Sequence, residues 1–454
     1  MSAGGVPGPG RVGRAFGDGA LHFAVGIEDT FVPQVRPGHR ALDEYELTDH
    51  YRQWRTDVDL AATAGADAIR YGVPWYRVEP EPGRFVWDWL DPVVDHLLER
   101  GLLPIVDLVH YGTPLWLDNA AINASYPERV AAYAYAVASR YADRLHVYTP
   151  ANEPAVNAEW CGETAAWPPY LTGPDGWTKV ATGVARGIVL TQQAVAAAVT
   201  APTFVHVEAA FRYELAADAP DEVVEATRLR AQRDLLIEDL VCGLVGDDHP
   251  LVPFLHRHGV SDAALDWHRA LPMPPHVMGV NFYPHLSTGV VEADVSREAP
   301  ARGLSGADGL EEVLRRFHER YARPVFLTET SSRGDAQAHL AWLEESVGRV
   351  VELRAAGLPV VGYTWFPLFD LLDWSYRTGT GPAARYLEPL GLYRLSADPA
   401  DALRREATPA VDRFRELASR YGPAARTSSD AATPAPPGPS GRPTPAHPTE
   451  GSRA

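Results

Sequence analysis

The sequence predicts a single (β/α)8 barrel. Three observations carry that prediction. Short apolar runs with strand character alternate with longer amphipathic segments, eight of each, which is the pattern of a parallel barrel wrapped by helices. Polar and aromatic side chains gather at the carboxyl ends of those runs. No low-complexity linker divides the 454 residues, and α/β barrels commonly run as one long domain.

In chain order, strands are expected at 21–27, 67–72, 103–110, 145–151, 203–208, 277–283, 325–329 and 360–366. Each is a short run rich in Val, Ile, Leu and aromatic residues. The helices expected between and after them are 49–64, 90–100, 127–141, 178–199, 222–244, 310–321, 336–356 and 402–421. Several close on a glycine stop signal, as at Ala64-Gly65, Arg100-Gly101 and Ala356-Gly357. The longer insertions follow strands one, four, six and eight, so the loops at the carboxyl face can shape a cleft. The body is expected over 20–421. Residues 1–19 are rich in Gly, Pro and Ala, and 422–454 in Pro, Ser, Thr and Ala. Both are expected to be disordered, because they carry too little large apolar surface to offset ordering entropy.

Composition narrows the function. The net charge of −18 leaves no basic stripe for a phosphate backbone, which argues against a nucleic-acid partner. Positive charge is nearly all arginine, with Lys179 the one lysine. Cys161 and Cys242 do not make a disulfide framework, and their spacing does not decide whether they pair. No window is apolar enough for a membrane helix, and the N-terminus lacks the apolar core of a secretory signal; the expected location is cytoplasmic. No H-E-x-x-H spacing or Gly-rich phosphate fingerprint occurs, so neither a metal nor a cofactor is expected.

The strand ends hold the chemistry. Arg70 closes the second run, His110 the third, Asn152-Glu153-Pro154 the fourth and Glu208 the fifth. Asn281-Phe-Tyr283 closes the sixth, Glu329 the seventh and Trp365 the eighth. Carboxyl-end residues of barrel strands face the catalytic mouth. Two carboxyls there, Glu153 and Glu329, are what acetal cleavage requires. One must be protonated to release the leaving oxygen, and the other ionised to stabilise or attack the anomeric carbon. A separation of about 5 Å gives retention of configuration and about 6.5–9.5 Å gives inversion. Arg70 beside Glu329 would keep that group ionised, while Glu153, with less positive charge around it, could hold a proton. Glu208 reads as either a packing acid or a functional one. Trp116, Trp160, Trp167 and Trp177 fall in loops where some could wall a cleft.

These motifs, in order, resemble glycoside hydrolase family 1, the β-glucosidase family. Thr149-Pro-Ala-Asn152-Glu153-Pro154 is similar to its T-F-N-E-P motif, and Leu327-Thr-Glu329-Thr to I-T-E-N-G. Ala66-Asp-Ala-Ile-Arg70-Tyr-Gly-Val-Pro-Trp75 resembles Y-R-F-S-I-S-W, Val109-His110-Tyr111-Gly-Thr-Pro114 resembles Y-H-W-D-L-P, and Met278-Gly-Val-Asn281-Phe-Tyr283 resembles L-G-I-N-Y-Y. The resemblance implies a retaining β-glycosidase acting on a small-molecule glycoside without a cofactor. Glu329 is then the nucleophile and Glu153 the acid/base. Asn152 contacts the sugar 2-hydroxyl, Tyr283 supports the nucleophile, and Arg70, Glu28, His110, Trp365, Asp373 and Trp374 complete the sugar site. The segment from Trp365 to Trp374 resembles W-S-L-L-D-N-F-E-W with one extra residue and with Asp373 in place of Glu. Glu28 stands near the family's sugar-binding Gln, and Thr330-Ser331 replaces Asn-Gly, so this is a divergent member offering a different hydrogen-bond pattern to the sugar. Two other outcomes fit the same residues: transfer of the sugar to a small metabolite, or a sugar-binding barrel that has lost turnover.

Overall fold

The computed structural model describes residues 14–291, 301–397 and 403–425. Eight parallel strands close into a barrel: β1 (His22–Gly26), β2 (Ala68–Gly72), β3 (Leu103–Asp107), β4 (Val147–Thr149), β5 (Thr203–Ala209), β6 (Val277–Asn281), β7 (Val325–Thr330) and β8 (Val360–Trp365). β1 pairs with both β2 and β8, which closes the ring. The expected strands are all present, and each ends near where its polar residues begin.

Alternation along the strands divides the core in two. Ala24, Ala68, Ile105, Val147, Val205 and Phe326 point inward and fill the barrel below the mouth. Their neighbours Val25, Ile69, Val106, Tyr148 and Leu327 point outward against the helices. Phe16 plugs the bottom of the interior, edge-on to Phe326 with ring centroids 5.5 Å apart. The folded body therefore begins earlier than residue 20. Arg14–Phe16 forms a helical turn, and one buried aromatic ring is enough to anchor it. At the other end, helical hydrogen bonding reaches Ala425. Residues 1–13 and 426–454, where disorder was expected, lie outside the described residues.

The expected helices are present in order, two of them changed in extent, and two more, Val252–Arg257 and Asp262–Ala270, lie before β6. The segment after β5 is two helices, Asp221–Arg233 and Leu236–Val241, separated at Asp234, whose carboxylate takes the Tyr213 hydroxyl at 2.6 Å. The last helix is Pro409–Tyr421, not 402–421. Leu403–Ala407 is a strand paired antiparallel with Tyr393–Ala397. Thr408 caps the helix that follows, with Pro409 at its first position, a start signal within the expected span. Among the described residues, no helix is long and apolar enough to cross a membrane. Cys161 and Cys242 are both free thiols.

Candidate active site

A cavity of about 580 Å³ opens at the carboxyl face of the strands, lined by Glu153, Glu329, Glu28, His110, Tyr283 and Trp374 among others. Strand alternation alone explains part of it. Ala68 points inward, so Arg70 does too; Ile105 brings Asp107 inward, and Val277 brings Asn281. Ala24 sets the same parity for Gly26 and, beyond the strand end, Glu28.

The two acids reach the mouth by local departures from regular geometry. On β7, alternation from inward Phe326 and outward Leu327 would turn Glu329 outward. The register slips between Leu327 and Glu329 against β6, and between Leu327 and Thr330 against β8. A bulge of this kind re-aims a side chain, and Glu329 enters the cavity while Thr330 returns to the outer face under Trp342. Glu153 sits at the N-cap of the helix Pro154–Ala158 with φ 40°, in the left-handed region. Tyr111, which donates its hydroxyl to Glu153 Oε2, also has positive φ, 68°. Such non-glycine conformations cost about 1–3 kcal/mol each and persist where surrounding contacts enforce them. Here the enforcing contacts include Glu153 N–H to the Val207 carbonyl at 3.0 Å and Asn157 Nδ2 to the Tyr111 carbonyl at 3.2 Å.

The electrostatic surroundings of the acids differ. Glu329 Oε1 accepts from Arg70, and its Oε2 takes the Tyr283 hydroxyl at 2.7 Å. Arg70, 2% exposed, also reaches Asp107 Oδ2 at 2.7 Å and Asn152 Oδ1 at 2.9 Å. Among the described residues, no cation is ion-paired or hydrogen-bonded to Glu153. Its partners are Tyr111 and the Asn281 amide, 2.8 Å from Oε1, with that amide oriented by Thr328 Oγ1 donating to Asn281 Oδ1 at 2.7 Å. Burial first, and then the negative charge of Glu329, push the Glu153 carboxyl up to about 7. One acid is thus held beside a permanent cation, and the other keeps a proton near neutral pH.

A second layer fixes these groups. Asn152 Nδ2 lies 2.9 Å from His110 Nε2 and 3.1 Å from the Tyr111 hydroxyl, its other end being held by Arg70. His110 Nδ1 lies 2.7 Å from Asp29 Oδ1. Burial opposes charge on this ring, but Asp29, Asp107 and Glu28 outweigh it and raise its basicity well above the ordinary histidine value. Asp29 fits because Gly72 has no side chain: a Cβ there would lie 1.9 Å from Asp29 Oδ2. Asp29, Asp107 and His110 bring donor atoms within 4.8 Å of one another, a spacing that could suit a metal ion. Arg70 already occupies the cationic role in that cluster, and a second cation beside its guanidinium would be repelled.

The expected site residues fall into three places. Glu153, Glu329, Glu28, His110, Tyr283, Asp373 and Trp374 line the cavity. Arg70 and Asn152 lie behind its wall, with both terminal nitrogens of Arg70 and both ends of the Asn152 amide engaged by other side chains, so they position neighbours. Trp365 is the correction. It faces outward, is fully buried among the helices, and its indole N–H donates to the Leu390 carbonyl at 3.1 Å. The inward position belongs to Phe366. Gly362 points inward, since a Cβ there would meet the Phe326 ring at 2.4 Å, and Phe366 follows in phase, 5.5 Å from the Arg70 guanidinium and against Gly26. Counted from Phe366, the segment to Trp374 matches W-S-L-L-D-N-F-E-W with no insertion. Glu208 faces away from the cavity and accepts from Ala155 N–H at 3.2 Å and Ala209 N–H at 2.9 Å, capping the helix that Glu153 opens. Burial keeps its carboxyl well above the usual range.

Tyr111, Asn281, Asp29, Asp107 and Phe366 were not assigned roles from sequence. For Asp107, Asn281 and Phe366 the signal was present, as two-residue alternation from an inward neighbour. Of the loop tryptophans, Trp160 and Trp167 join Trp374 in an aromatic wall with ring centroids 4.8–5.0 Å apart, and Trp116 and Trp177 pack elsewhere.

Known proteins resemble this chain in sequence and in fold. The family model for glycosyl hydrolase family 1 matches residues 25–229. The β-glucosidase of an Agrobacterium species is 25% identical over 391 residues, covering 72% of this chain and 77% of that protein. β-Glucosidase A of Thermotoga maritima is 23% identical over 361 residues, covering 72% and 79%. Residues 25–229 are thus similar to glycosyl hydrolase family 1, and that match with these β-glucosidase relatives marks the chain as a glycoside hydrolase. The solved family 1 β-glucosidase from T. maritima shares the fold, with a TM-score of 0.74 at 19% identity over 89% of this chain and 98% of that one. The T. maritima enzyme in complex with deoxynojirimycin aligns with a TM-score of 0.75 at 20% identity.

Proposed function

We propose that the protein is a retaining β-glycosidase acting on a small-molecule glycoside, with Glu329 as nucleophile and Glu153 as acid/base. The reading rests on one observation above all. Two buried carboxyls face the same cavity, one bonded to Arg70 and Tyr283, the other with no ion-pair partner among the described residues and raised to about 7. In the first step Glu329 attacks the anomeric carbon while Glu153 gives its proton to the leaving oxygen. In the second, ionised Glu153 takes a proton from water, which attacks the glycosyl–Glu329 ester and releases the sugar with its original configuration. The complexes of T. maritima β-glucosidase with deoxynojirimycin and with isofagomine lactam support a small glycoside as ligand class.

The test is turnover of aryl β-glycosides by Glu329→Ala and Glu153→Ala, with the product anomer followed by NMR. Each change is expected to lower kcat/KM by at least about a thousandfold. Azide should restore rate in both, giving an α-glycosyl azide with Glu329→Ala and a β-glycosyl azide with Glu153→Ala. Undiminished activity in either variant, or an inverted first product from the wild type, would overturn the assignment. So would tight glycoside binding with no release of an activated aryl group.

A further inference from the structure

The deep end of the cavity carries more carboxyl groups than its cations can match. Arg70 is shared by Asp107 and Glu329, and His110 by Asp29. Glu28 is left over. It is 5% exposed and lines the cavity. Its Oε1 accepts from the backbone N–H and the hydroxyl of Thr30, at 3.0 and 2.6 Å, which fixes the carboxyl plane. Its Oε2 accepts no hydrogen bond from the described residues. The nearest ring nitrogen, His110 Nε2, is 3.7 Å from Oε1 and already faces the Asn152 amide. Behind it lies Glu44, fully buried, with Oε2 taken by the Leu372 N–H at 3.1 Å and Oε1 without a partner. A second acid at that position makes the neighbourhood more negative, not less.

We propose that Glu28 is a specificity residue for a cationic sugar: that the glycone carries an amino group, and that its ammonium docks on Glu28 Oε2. The inference rests on the glycosidase reading and narrows its substrate to amino-substituted glycosides. An ammonium supplies the cation that this carboxyl lacks, and a charge-assisted hydrogen bond in a buried site is stronger than one from a neutral hydroxyl. Without such a ligand the carboxyl is driven toward its neutral form, by burial first and then by Asp29 and Glu329, and sits at about 7. A second cavity-lining carboxylate, Asp373, has one oxygen held by the Ser375 N–H at 2.9 Å and adds negative potential to the same cavity. Three arginines also line the cavity, and none of them bonds to Glu28: Arg333 is paired with Glu388 through bonds of 3.2 and 3.3 Å, Arg302 donates to the Leu286 carbonyl at 2.8 Å, and Arg377 donates to the Val32 carbonyl at 2.9 Å and the Tyr170 hydroxyl at 3.0 Å.

The experiment is calorimetric binding of methyl β-glucoside and of its 3-amino-3-deoxy and 4-amino-4-deoxy analogues to the full chain near neutral pH, repeated with Glu28→Gln. At least one amino analogue is expected to bind about tenfold or more tightly than the glucoside, and Glu28→Gln, which keeps the side-chain shape, should erase the difference. Equal or weaker binding of both amines by the wild type overturns the proposal whether or not the variant folds. A preference that survives in a folded Glu28→Gln protein also overturns it. Aryl glycoside turnover measured on the same preparation reports separately on the glycosidase reading, because the binding comparison needs no catalysis.

Discussion

Removing the Tyr111 hydroxyl should move the alkaline limb of the pH–rate profile upward. As general acid, Glu153 must be protonated in the glycosylation step, so kcat/KM for a glycoside with a poor leaving group falls above its pKa, at about 7. Tyr111 donates to Glu153 Oε2 and so favours the ionised form; the Asn281 amide, 2.8 Å from Oε1, does the same. Tyr111→Phe removes the first and leaves the second. A hydrogen bond to a charged group is worth about 1.5–3 kcal/mol net. Part of that remains available to the protonated carboxyl, so the difference between the two states is roughly one pKa unit, or about 1.4 kcal/mol. The alkaline limb should then lie near 8. The phenyl ring keeps its edge contacts with His110 and Trp374, at 4.7 and 5.4 Å, so the wall stays in place. The assay is kcat/KM for a methyl or alkylphenyl glycoside from about pH 5 to about pH 9. Glu28 titrates in the same range but makes no hydrogen bond to Tyr111. An unmoved limb would therefore assign the profile to another group, and a downward shift would contradict the direction of the hydrogen bond.

Other expectations follow from the same contacts. Because the Glu153 pKa is raised above its ordinary 4.5, folding carries a cost that is absent below 4.5, grows as pH rises and is complete above about 7. Glu153→Gln should therefore raise Tm above wild type at pH 8 and lose that advantage near pH 4, as read by thermal melts; an advantage independent of pH would contradict the linkage. Tyr283→Phe removes the 2.7 Å bond to Glu329 Oε2 and should lower kcat about 10- to 100-fold with the fold unchanged by circular dichroism. Trp365→Phe should lower Tm yet leave KM for aryl glycosides unaltered, since the ring faces the helices; a large rise in KM would return Trp365 to the sugar site. Phe16→Ala empties the bottom of the barrel and should cost about 3–5 kcal/mol in denaturant unfolding, with kcat retained at low temperature.

The barrel was legible because its periodicities are physical requirements. A strand buried on both faces has to be a short apolar run, and its covering helix has to be amphipathic. Glu153 and Glu329 were legible for a different reason: polar groups at the ends of such runs have few reasons to be there other than chemistry. What stayed hidden was phase. Trp365 was assigned to the cavity because it closes an apolar run, but facing is set by position relative to Gly362, whose lack of a side chain accommodates Phe326. One residue of phase moves a side chain from the mouth to the helix layer. The Tyr393–Ala397 hairpin partner was read as the start of a helix because Leu403-Arg-Arg-Glu-Ala has helical composition; pairing with a distant segment overrode that preference. The anchoring of Phe16 was hidden by its Gly- and Pro-rich surroundings, which say nothing about the one ring that finds the barrel floor.

Phase also explains why the two acids sit on irregular backbone. A regular β7 that points Phe326 into the barrel interior must point Glu329 toward the helices, and only the register slip after Leu327 lets both face inward. Likewise Glu153 must leave its strand, cap a helix and aim at the same cavity within one residue, which the left-handed conformation at φ 40° accomplishes. A bulge-repairing change, deletion of Thr328, would place Glu329 directly after outward-facing Leu327, so regular alternation would still point it inward but about 3.3 Å deeper along the strand. It should lower turnover about a thousandfold or more, because it draws the carboxyl away from the Tyr283 hydroxyl and removes the Thr328 hydroxyl that orients the Asn281 amide. Glu329→Ala removes the nucleophile without disturbing strand register. The deletion alone should therefore lose additional stability in denaturant unfolding. Equal unfolding free energies for the two would mean that the bulge carries no constraint on where Glu329 sits.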